Sequence, residues 1–315
     1  MTNVCITGVS GYLGMRLVKE LNKKENIDSI VGLDIVSPSI DEKKIKFYKL
    51  DIRDPKIVNI LEDHRIDTVF HLAFVVKPTH DLKKMHDIDY NGTQNILNAA
   101  RSAGAGHFIA ISSTLAYGAH HDNPDEILEN HPLRGNKSYP YGFNKCLVDN
   151  LIQDFSARNP EMAVTTLRPC TVFGPNVNNY VSRMLFRPYT VGILGYNPKV
   201  QFLHEDDFVN SCLTAIEKKI PGAFNIVGDG TLTTEEISKI TGTKIIPFPS
   251  WILYPLLEAL WKLRFPGIEI NSGYLDYARY SFIASPLKAK KVLGFYPDYS
   301  SLETLMETVK SKKND

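Results

Sequence analysis

Cysteine is scarce in this chain, and the few cysteines are far apart. Only four occur among 315 residues, namely Cys5, Cys146, Cys170 and Cys212. None of the spacings between them is that of a metal-binding Cys-x-x-Cys motif or of a disulfide framework. The cysteines therefore predict no metal site and agree with a reducing, cytoplasmic location.

Long apolar runs and an excess of charge of one sign are also missing. No uninterrupted apolar stretch reaches the roughly 18 residues expected of a membrane span, and the formal net charge is only +1. The N-terminus leads directly into a strand pattern, without the basic and apolar regions of a signal peptide. We therefore expect a cytoplasmic protein that binds no nucleic acid and makes no membrane contact.

What the chain does contain is a regular alternation of strand and helix patterns. Short apolar strands are predicted at residues 3–7, 29–34, 47–51, 68–73, 108–113 and 163–168, with helical patterns between them. Such an alternation is typical of the α/β class. It predicts a Rossmann-type doubly wound parallel sheet with a small C-terminal substrate lobe.

The turn after the first predicted strand is rich in glycine. Gly8, Gly11 and Gly14 have the spacing Gly-x-x-Gly-x-x-Gly, and a helical pattern follows them. A strand, a glycine turn and a helix in this order can hold a pyrophosphate at the helix N-terminus. A glycine turn alone often binds no ligand, so the interpretation also depends on the strand that follows.

That next strand ends in Asp34, 20 residues after Gly14. An acidic residue at this place hydrogen-bonds an adenosine ribose. The residues that follow, Ile35, Val36 and Ser37, include no arginine for a 2′-phosphate, which favours NAD over NADP. We therefore predict an NAD-binding Rossmann domain over residues 1–170, with its sheet completed by about 200–230. Residues 171–315 would form the substrate-binding lobe, interleaved with it.

Tyr141 and Lys145 lie one turn apart on a predicted amphipathic helix. A lysine ammonium beside a tyrosine favours the phenolate and lowers the tyrosine pKa from roughly 10, which produces an acid/base suited to proton transfer. The same spacing also occurs by chance in helices that bury a tyrosine and expose a lysine. His71, within a predicted strand, is interpreted as structural rather than catalytic.

Further motifs follow one another along the first 230 residues. They are Thr7-Gly8-x-x-Gly11-x-x-Gly14, Asp34, Asp51-Ile52, His71-Leu72-Ala73, Asn91-Gly92-Thr93, Ser112-Ser113-Thr114, Tyr141-x-x-x-Lys145, Leu167-Arg168-Pro169, Val172-Phe173-Gly174-Pro175, Gln201-Phe202-Leu203-His204 and Asp206-Asp207. Together they resemble an extended short-chain dehydrogenase/reductase of the NAD-dependent epimerase/dehydratase family.

The resemblance implies roles for individual residues. Tyr141 would be the catalytic acid/base, Lys145 would bind the nicotinamide ribose, and Ser113 would hydrogen-bond the reacting oxygen. The residues implied to bind NAD are Gly8, Ser10, Gly11, Tyr12, Leu13, Gly14, Asp34, Asp51, Ile52, Leu72, Ala73, Tyr141, Lys145 and Pro169. It also implies a homodimer formed through the helices at residues 87–103 and 141–158.

Two departures from the family bear on the substrate. Thr114 and Leu115 stand where relatives that dehydrate sugars carry Asp-Glu, which argues against dehydration. No arginine occurs between Arg187 and Arg264, where nucleotide-sugar epimerases often place one to bind a phosphate. Lys199, Arg183 and Arg279 are candidates to replace it.

The most apolar stretch of the chain is residues 249–266. We predict a lobe helix buried against the body, and two alternatives are an apolar lid over the substrate and a surface that touches a membrane. Pro255 argues against one long straight helix here.

These observations leave three functions open. The first is a nucleotide-sugar epimerase that uses tightly held NAD at a secondary alcohol carbon. The second is a net NAD(H)-dependent dehydrogenase or reductase acting on an apolar hydroxy or keto substrate, such as a hydroxysteroid or a dihydroflavonol. The third is a non-catalytic NAD-binding sensor, against which the presence of Ser113, Tyr141 and Lys145 argues.

Overall fold

The computed structural model describes residues 2–39 and 42–314, and a seven-stranded parallel sheet lies at its centre. The spatial order of the strands is β3-β2-β1-β4-β5-β6-β11. The strands within the described residues are β1 (Thr2–Thr7), β2 (Ile27–Asp34), β3 (Ile45–Lys49), β4 (Thr68–His71), β5 (His107–Ile111), β6 (Ala163–Pro169), β7 (Thr171–Phe173), β8 (Tyr189–Ile193), β9 (Lys199–Val200), β10 (Phe202–His204), β11 (Gly222–Ile226), β12 (Leu232–Thr233) and β13 (Lys244–Phe248). The predicted doubly wound parallel sheet is confirmed.

Helices connect the strands and cover both faces of the sheet. They are α1 (Tyr12–Asn22), α2 (Ile57–Asp63), α3 (Leu82–His86), α4 (Gly92–Ser102), α5 (Pro140–Arg158), α6 (Tyr180–Leu185), α7 (Glu205–Lys218), α8 (Thr234–Thr241), α9 (Ser250–Lys262) and α10 (Ser301–Asn314). Pro140 occupies the first turn of α5, where its missing N–H costs no hydrogen bond. The helix that carries Tyr141 and Lys145 therefore begins directly before the tyrosine.

The two faces of the sheet form separate hydrophobic cores because side chains alternate along a strand. Val4 and Ile6 of β1 pack in the core that includes α1 and α7. Cys5, between them, packs in the core that includes α2, α4 and α5. Strands covered on both faces in this way read as continuous apolar runs, which explains the pattern in the sequence.

Two segments differ from the sequence prediction. The helix predicted at residues 87–103 begins earlier, at Leu82, and the turn at Asp87–Asn91 is π-helical and joins α3 to α4. The third strand, predicted at residues 47–51, is β3 at Ile45–Lys49, so that Asp51 follows the strand instead of ending it.

The seventh strand, β11, pairs with β6 near the predicted return of the chain to the sheet. The assignment of residues 1–170 and 171–315 to two functional domains stays a prediction.

A smaller unit formed by β8, β13 and α9, called the small lobe below, contains the apolar stretch. Ile193, Leu253, Leu257 and Leu275 form its buried cluster. The helix α9 continues through Pro255. The proline removes a hydrogen bond to the carbonyl of Trp251, and both residues are exposed, so water can solvate that group. Within the described residues, no helix combines the length and apolarity needed to span a membrane.

Candidate active site

The carboxyl ends of the parallel strands bring the predicted cofactor residues to one edge of the sheet. The glycine turn follows β1 and leads into α1, and Asp34 ends the neighbouring β2. The Asp34 carboxylate accepts hydrogen bonds from the backbone N–H of Ser10 at 3.0 Å and of Val36 at 3.2 Å. The turn and the acidic residue therefore form one continuous surface.

The glycine turn has no space for side chains. Gly8 has a φ of +72°, and a Cβ there would lie 2.7 Å from the backbone nitrogen of Ala73. A Cβ on Gly14 would lie 2.4 Å from the carbonyl oxygen of Gly8. The glycines thus let α1 approach β1 closely, as a dinucleotide-binding turn requires.

The start of α1 offers free backbone donors. Gly11 is its N-cap residue and supplies no side-chain hydrogen bond, so the first N–H groups of the helix are available to an anion. Together with Asp34 at the next strand, this arrangement fits NAD, with its pyrophosphate at Tyr12, Leu13 and Gly14 and its adenosine ribose at Asp34.

Asp51 and Ile52 follow β3 at the same edge. Ile52 is buried. The Asp51 carboxylate accepts hydrogen bonds from Arg53 Nε at 2.9 Å and Nη2 at 2.7 Å, and these bonds hold the Asp51 pKa below its ordinary value. Arg53 also pairs with Asp87 at 2.5 Å. The Asp51 side chain is therefore engaged with Arg53 beside the adenine end of the predicted site.

His71 joins three elements beneath Leu72 and Ala73. Its Nδ1 lies 2.8 Å from Thr7 Oγ1 and its Nε2 lies 2.8 Å from Thr93 Oγ1. Burial, with a smaller effect of Lys145, lowers the pKa of His71 to about 3. The ring is neutral with both nitrogens occupied, as expected for a structural histidine. Thr7 Oγ1 also accepts from the backbone N–H of Ala73 at 3.2 Å, which positions that loop.

Lys145 is directed toward the sheet. Its Nζ donates to the carbonyl of Ile111 at 2.8 Å and lies 3.7 Å from the centre of the Phe74 ring. Burial lowers the pKa of Lys145 to about 8, although Asp89 and Asp149 act in the opposite direction. The ammonium is thus held at the end of β5 by a carbonyl and an aromatic ring.

Tyr141 is partly buried beside the same aromatic ring. Its ring meets Phe74 edge to face at a centroid distance of 5.6 Å. The predicted lowering of the Tyr141 pKa is wrong for this structure: burial raises this pKa, and Tyr180 and Asp89 raise it further. The reason is that Lys145 is hydrogen-bonded to Ile111 and contributes no compensating effect, so the phenol keeps its proton at neutral pH.

Ser113 and Pro169 follow two neighbouring strands, β5 and β6. Ser113 is the N-cap of a 3-10 turn at Thr114–Tyr117, and its Oγ accepts from the N–H of Leu115 at 3.2 Å. The same Oγ donates to the carbonyl of Pro169 at 3.4 Å. Ser113 is therefore held at the same sheet edge as Tyr141 and Lys145.

A cavity of about 90 Å³ opens onto Tyr141. It is lined by aromatic and apolar side chains, among them Tyr139, Tyr180, Met85 and Trp261. Trp261 of α9 stacks on His80 with ring centroids 4.0 Å apart. Ligand pockets usually measure roughly 300–1,000 Å³, so this cavity is smaller than a typical ligand pocket.

The sequence profile of the NAD dependent epimerase/dehydratase family matches residues 4–227, more than two thirds of the chain. The chain belongs to this family. NAD is accordingly its cofactor, and the chain is an NAD-dependent enzyme of the epimerase/dehydratase type.

Curated relatives in this family are moderately similar. An uncharacterized protein of Mycobacterium tuberculosis is 26% identical over 311 residues, which cover 95% of this chain and 81% of that protein. The UDP-glucose 4-epimerase of Erwinia amylovora is 31% identical over 180 residues, which cover 53% of this chain and 52% of that protein.

A solved structure shows the same fold. The UDP-glucose 4-epimerase of Thermotoga maritima, determined with UDP-glucose, superposes with a TM-score of 0.74 and 23% identity over 99% of both chains. At this identity the similarity concerns the fold.

Several residues of the site are missed by sequence reasoning in this member of the family. Asp89 is fully buried and accepts from the N–H of Val75 at 2.8 Å and from Asn144 Nδ2 at 2.9 Å, which ties the loop after β4 to α5. Phe74 contacts both Lys145 and Tyr141. The position of Phe74, directly after the His-Leu-Ala motif, is the only signal that could have indicated it. The contact of Trp261 with His80 joins positions too distant in sequence to be read from it.

Two of the three basic residues considered for a substrate phosphate, Arg183 and Arg279, have other partners. Arg183 pairs with Glu269 at 3.2 Å. Arg279 donates to Tyr196 at 2.8 Å and lies over the rings of Tyr196 and Tyr280. None of the described residues that line the cavity is a lysine or an arginine.

Proposed function

We propose that this enzyme transfers hydride at a secondary alcohol carbon of a nucleotide-linked sugar and acts as an epimerase, with Tyr141 as its acid/base. The observation that carries the proposal is that the Tyr141 side chain lines a cavity at the sheet edge where Lys145 and Ser113 also lie. The similarity to UDP-glucose 4-epimerases supports a sugar substrate.

Each of the three side chains has a distinct task. Tyr141, whose pKa is raised, holds a proton that it can donate to a carbonyl oxygen and later take back from the alcohol. Ser113 can hydrogen-bond the same oxygen and stabilise negative charge on it. Lys145 provides ammonium donors to the nicotinamide ribose. NAD, when bound, supplies the hydride acceptor and a positive ring that favours the phenolate.

The remaining cofactor contacts follow from the glycine turn and its neighbours. The N-terminus of α1 would hold the pyrophosphate, Asp34 the adenosine ribose, and Asp51 with Ile52 the adenine. Leu72, Ala73 and Pro169, after β4 and at the end of β6, would line the nicotinamide half.

The decisive variant is Tyr141→Phe. We expect it to lower the interconversion of UDP-glucose and UDP-galactose by roughly 10²–10⁴-fold, since it loses only the transferable proton. NAD content, measured by mass spectrometry after denaturation, should not change. Tyr296→Phe, at a tyrosine that is 65% exposed and lies outside the residues that line the cavity, is the matched control. Undiminished turnover by Tyr141→Phe would refute the assigned base.

A second candidate is net oxidation or reduction of an apolar secondary alcohol, which the cavity without basic residues favours. An epimerase keeps its cofactor through both half-reactions, so the purified enzyme should release near-stoichiometric NAD. An enzyme free of cofactor, together with a change in NADH absorbance on addition of a sterol-like or phenolic alcohol, would favour the second candidate.

A further inference from the structure

The outer side of α9 is apolar and exposed. Ile252, Leu256 and Leu263 recur at helical spacing on one face, and Leu256 and Leu263 are 48% and 77% exposed. Trp251, at the start of the helix, is 76% exposed. The opposite side contributes Leu253 and Leu257 to the small lobe. The sequence prediction of a buried helix therefore holds for only half of its circumference.

The sheet of the small lobe extends this apolar surface. Ile193 and Phe248 face each other across β8 and β13 and pack beneath α9. Val191 and Ile246 form the next pair on the same face, since side chains alternate along a strand, and both are exposed. We call Trp251, Ile252, Leu256, Leu263, Val191 and Ile246 the apolar patch.

Basic residues flank the segments that form the apolar patch. Lys262 and Arg264 flank Leu263, while Lys244 starts β13 and Arg187 precedes β8. Lys262 pairs with Glu258 at 3.3 Å, whereas Arg187, Lys244 and Arg264 form no ion pair within residues 2–39 and 42–314. The rim is therefore positively charged, with little acidic compensation.

We propose that the apolar patch docks on the surface of an anionic lipid bilayer. Exposed tryptophan and leucine side chains insert at the level of the headgroups, and unpaired lysine and arginine side chains beside them bind anionic phosphates. The 13 residues of α9 are too few to cross a bilayer, so the helix lies along its surface.

The charge of the rim decides between a bilayer and a second copy of the chain. A twofold dimer through the patch would bring each basic rim close to its own copy, and like charges would repel. An anionic lipid surface provides the opposite charge over the whole rim.

The test is co-sedimentation of the full chain with vesicles. We expect binding to vesicles of about two parts phosphatidylcholine and one part phosphatidylglycerol, and much weaker binding to phosphatidylcholine alone. Raising the salt to about 0.5 M should weaken binding because the rim contribution is screened. Failure of the wild-type chain to sediment with the anionic vesicles would overturn the proposal.

Paired variants identify the surface. Leu256→Glu with Leu263→Glu should lower vesicle binding roughly tenfold or more, while Leu302→Glu, at another exposed leucine on α10, should leave it unchanged. Thermal melting checks that each variant is folded. If the glutamate variants are not, Leu256→Ser with Leu263→Ser gives the same comparison. Equal binding by all variants would overturn the proposal. A dimer seen by light scattering that is lost in the paired variants, without vesicle binding, would show that the occupant is a second copy.

Discussion

The central sheet and the small lobe differ in where they place apolar and charged side chains. In the sheet, Arg168 is fully buried and binds both oxygens of the buried Asp149 at 2.9 Å. In the small lobe, large apolar side chains such as Leu263 are exposed, and the nearby Arg183 forms a solvent-exposed ion pair. The sheet therefore depends on its interior for stability, whereas much of the lobe surface is free to serve another purpose.

The largest expected difference in the free energy of unfolding is between variants of the two arginine ion pairs. Arg168→Met leaves the Asp149 charge buried without its partner and removes a donor to Tyr117. We expect it to lower the free energy of unfolding by about 3–5 kcal/mol. Arg183→Met should cost less than about 1 kcal/mol because water screens that pair. Urea denaturation of both variants checks the prediction, and equal losses would contradict it.

A smaller difference in the free energy of unfolding is expected between alanine variants of two leucines. Leu17 of α1 is fully buried, so Leu17→Ala removes buried methyl groups and should lower the free energy of unfolding by about 2–5 kcal/mol. Leu263→Ala should change it by no more than about 0.5 kcal/mol. Differential scanning calorimetry measures both variants. Comparable destabilisation by Leu263→Ala would mean that this side chain packs against a partner in solution.

The smallest expected effect is the change in NAD affinity when the buried Lys145 loses its proton. Lys145, with a pKa of about 8, is an ammonium below that pH and a neutral amine above it. If it binds the nicotinamide ribose, NAD affinity should fall by roughly tenfold, about 1.4 kcal/mol, as the pH rises through this value. Calorimetric titration at several pH values measures the change. In Lys145→Met the affinity should be lower and flat across this range, and a persisting decline would assign it to another group.

The sequence predicts the sheet well because its information is local. Buried strands such as β1 read as apolar runs, and Gly8, Gly14 and Asp34 lie within a single strand-turn-helix-strand unit. The parallel order of the strands then brings residues from distant positions, including Ser113 and Tyr141, to one edge. Neither step requires knowledge of side-chain contacts.

The site electrostatics and the small lobe could not be predicted in the same way. The direction of the Tyr141 pKa depends on burial and on whether Lys145 is directed at Tyr141 or at Ile111, and helical spacing does not contain that information. Most residues of α9 are apolar, a pattern typical of buried helices, so the sequence favours burial and does not indicate which side chains, such as Leu256, are exposed. Their exposure depends on which neighbours the fold provides.

The four cysteines allow local opening of the sheet half of the protein to be measured by chemical modification. Cys5, Cys146, Cys170 and Cys212 are all free and buried, and burial raises the pKa of each thiol. A thiol reagent reacts with the thiolate of an accessible cysteine, so each modification event reports a local opening of the structure around one named position. Since β8, β13 and α9 contain no cysteine, the unmodified protein already carries reporters confined to its sheet half.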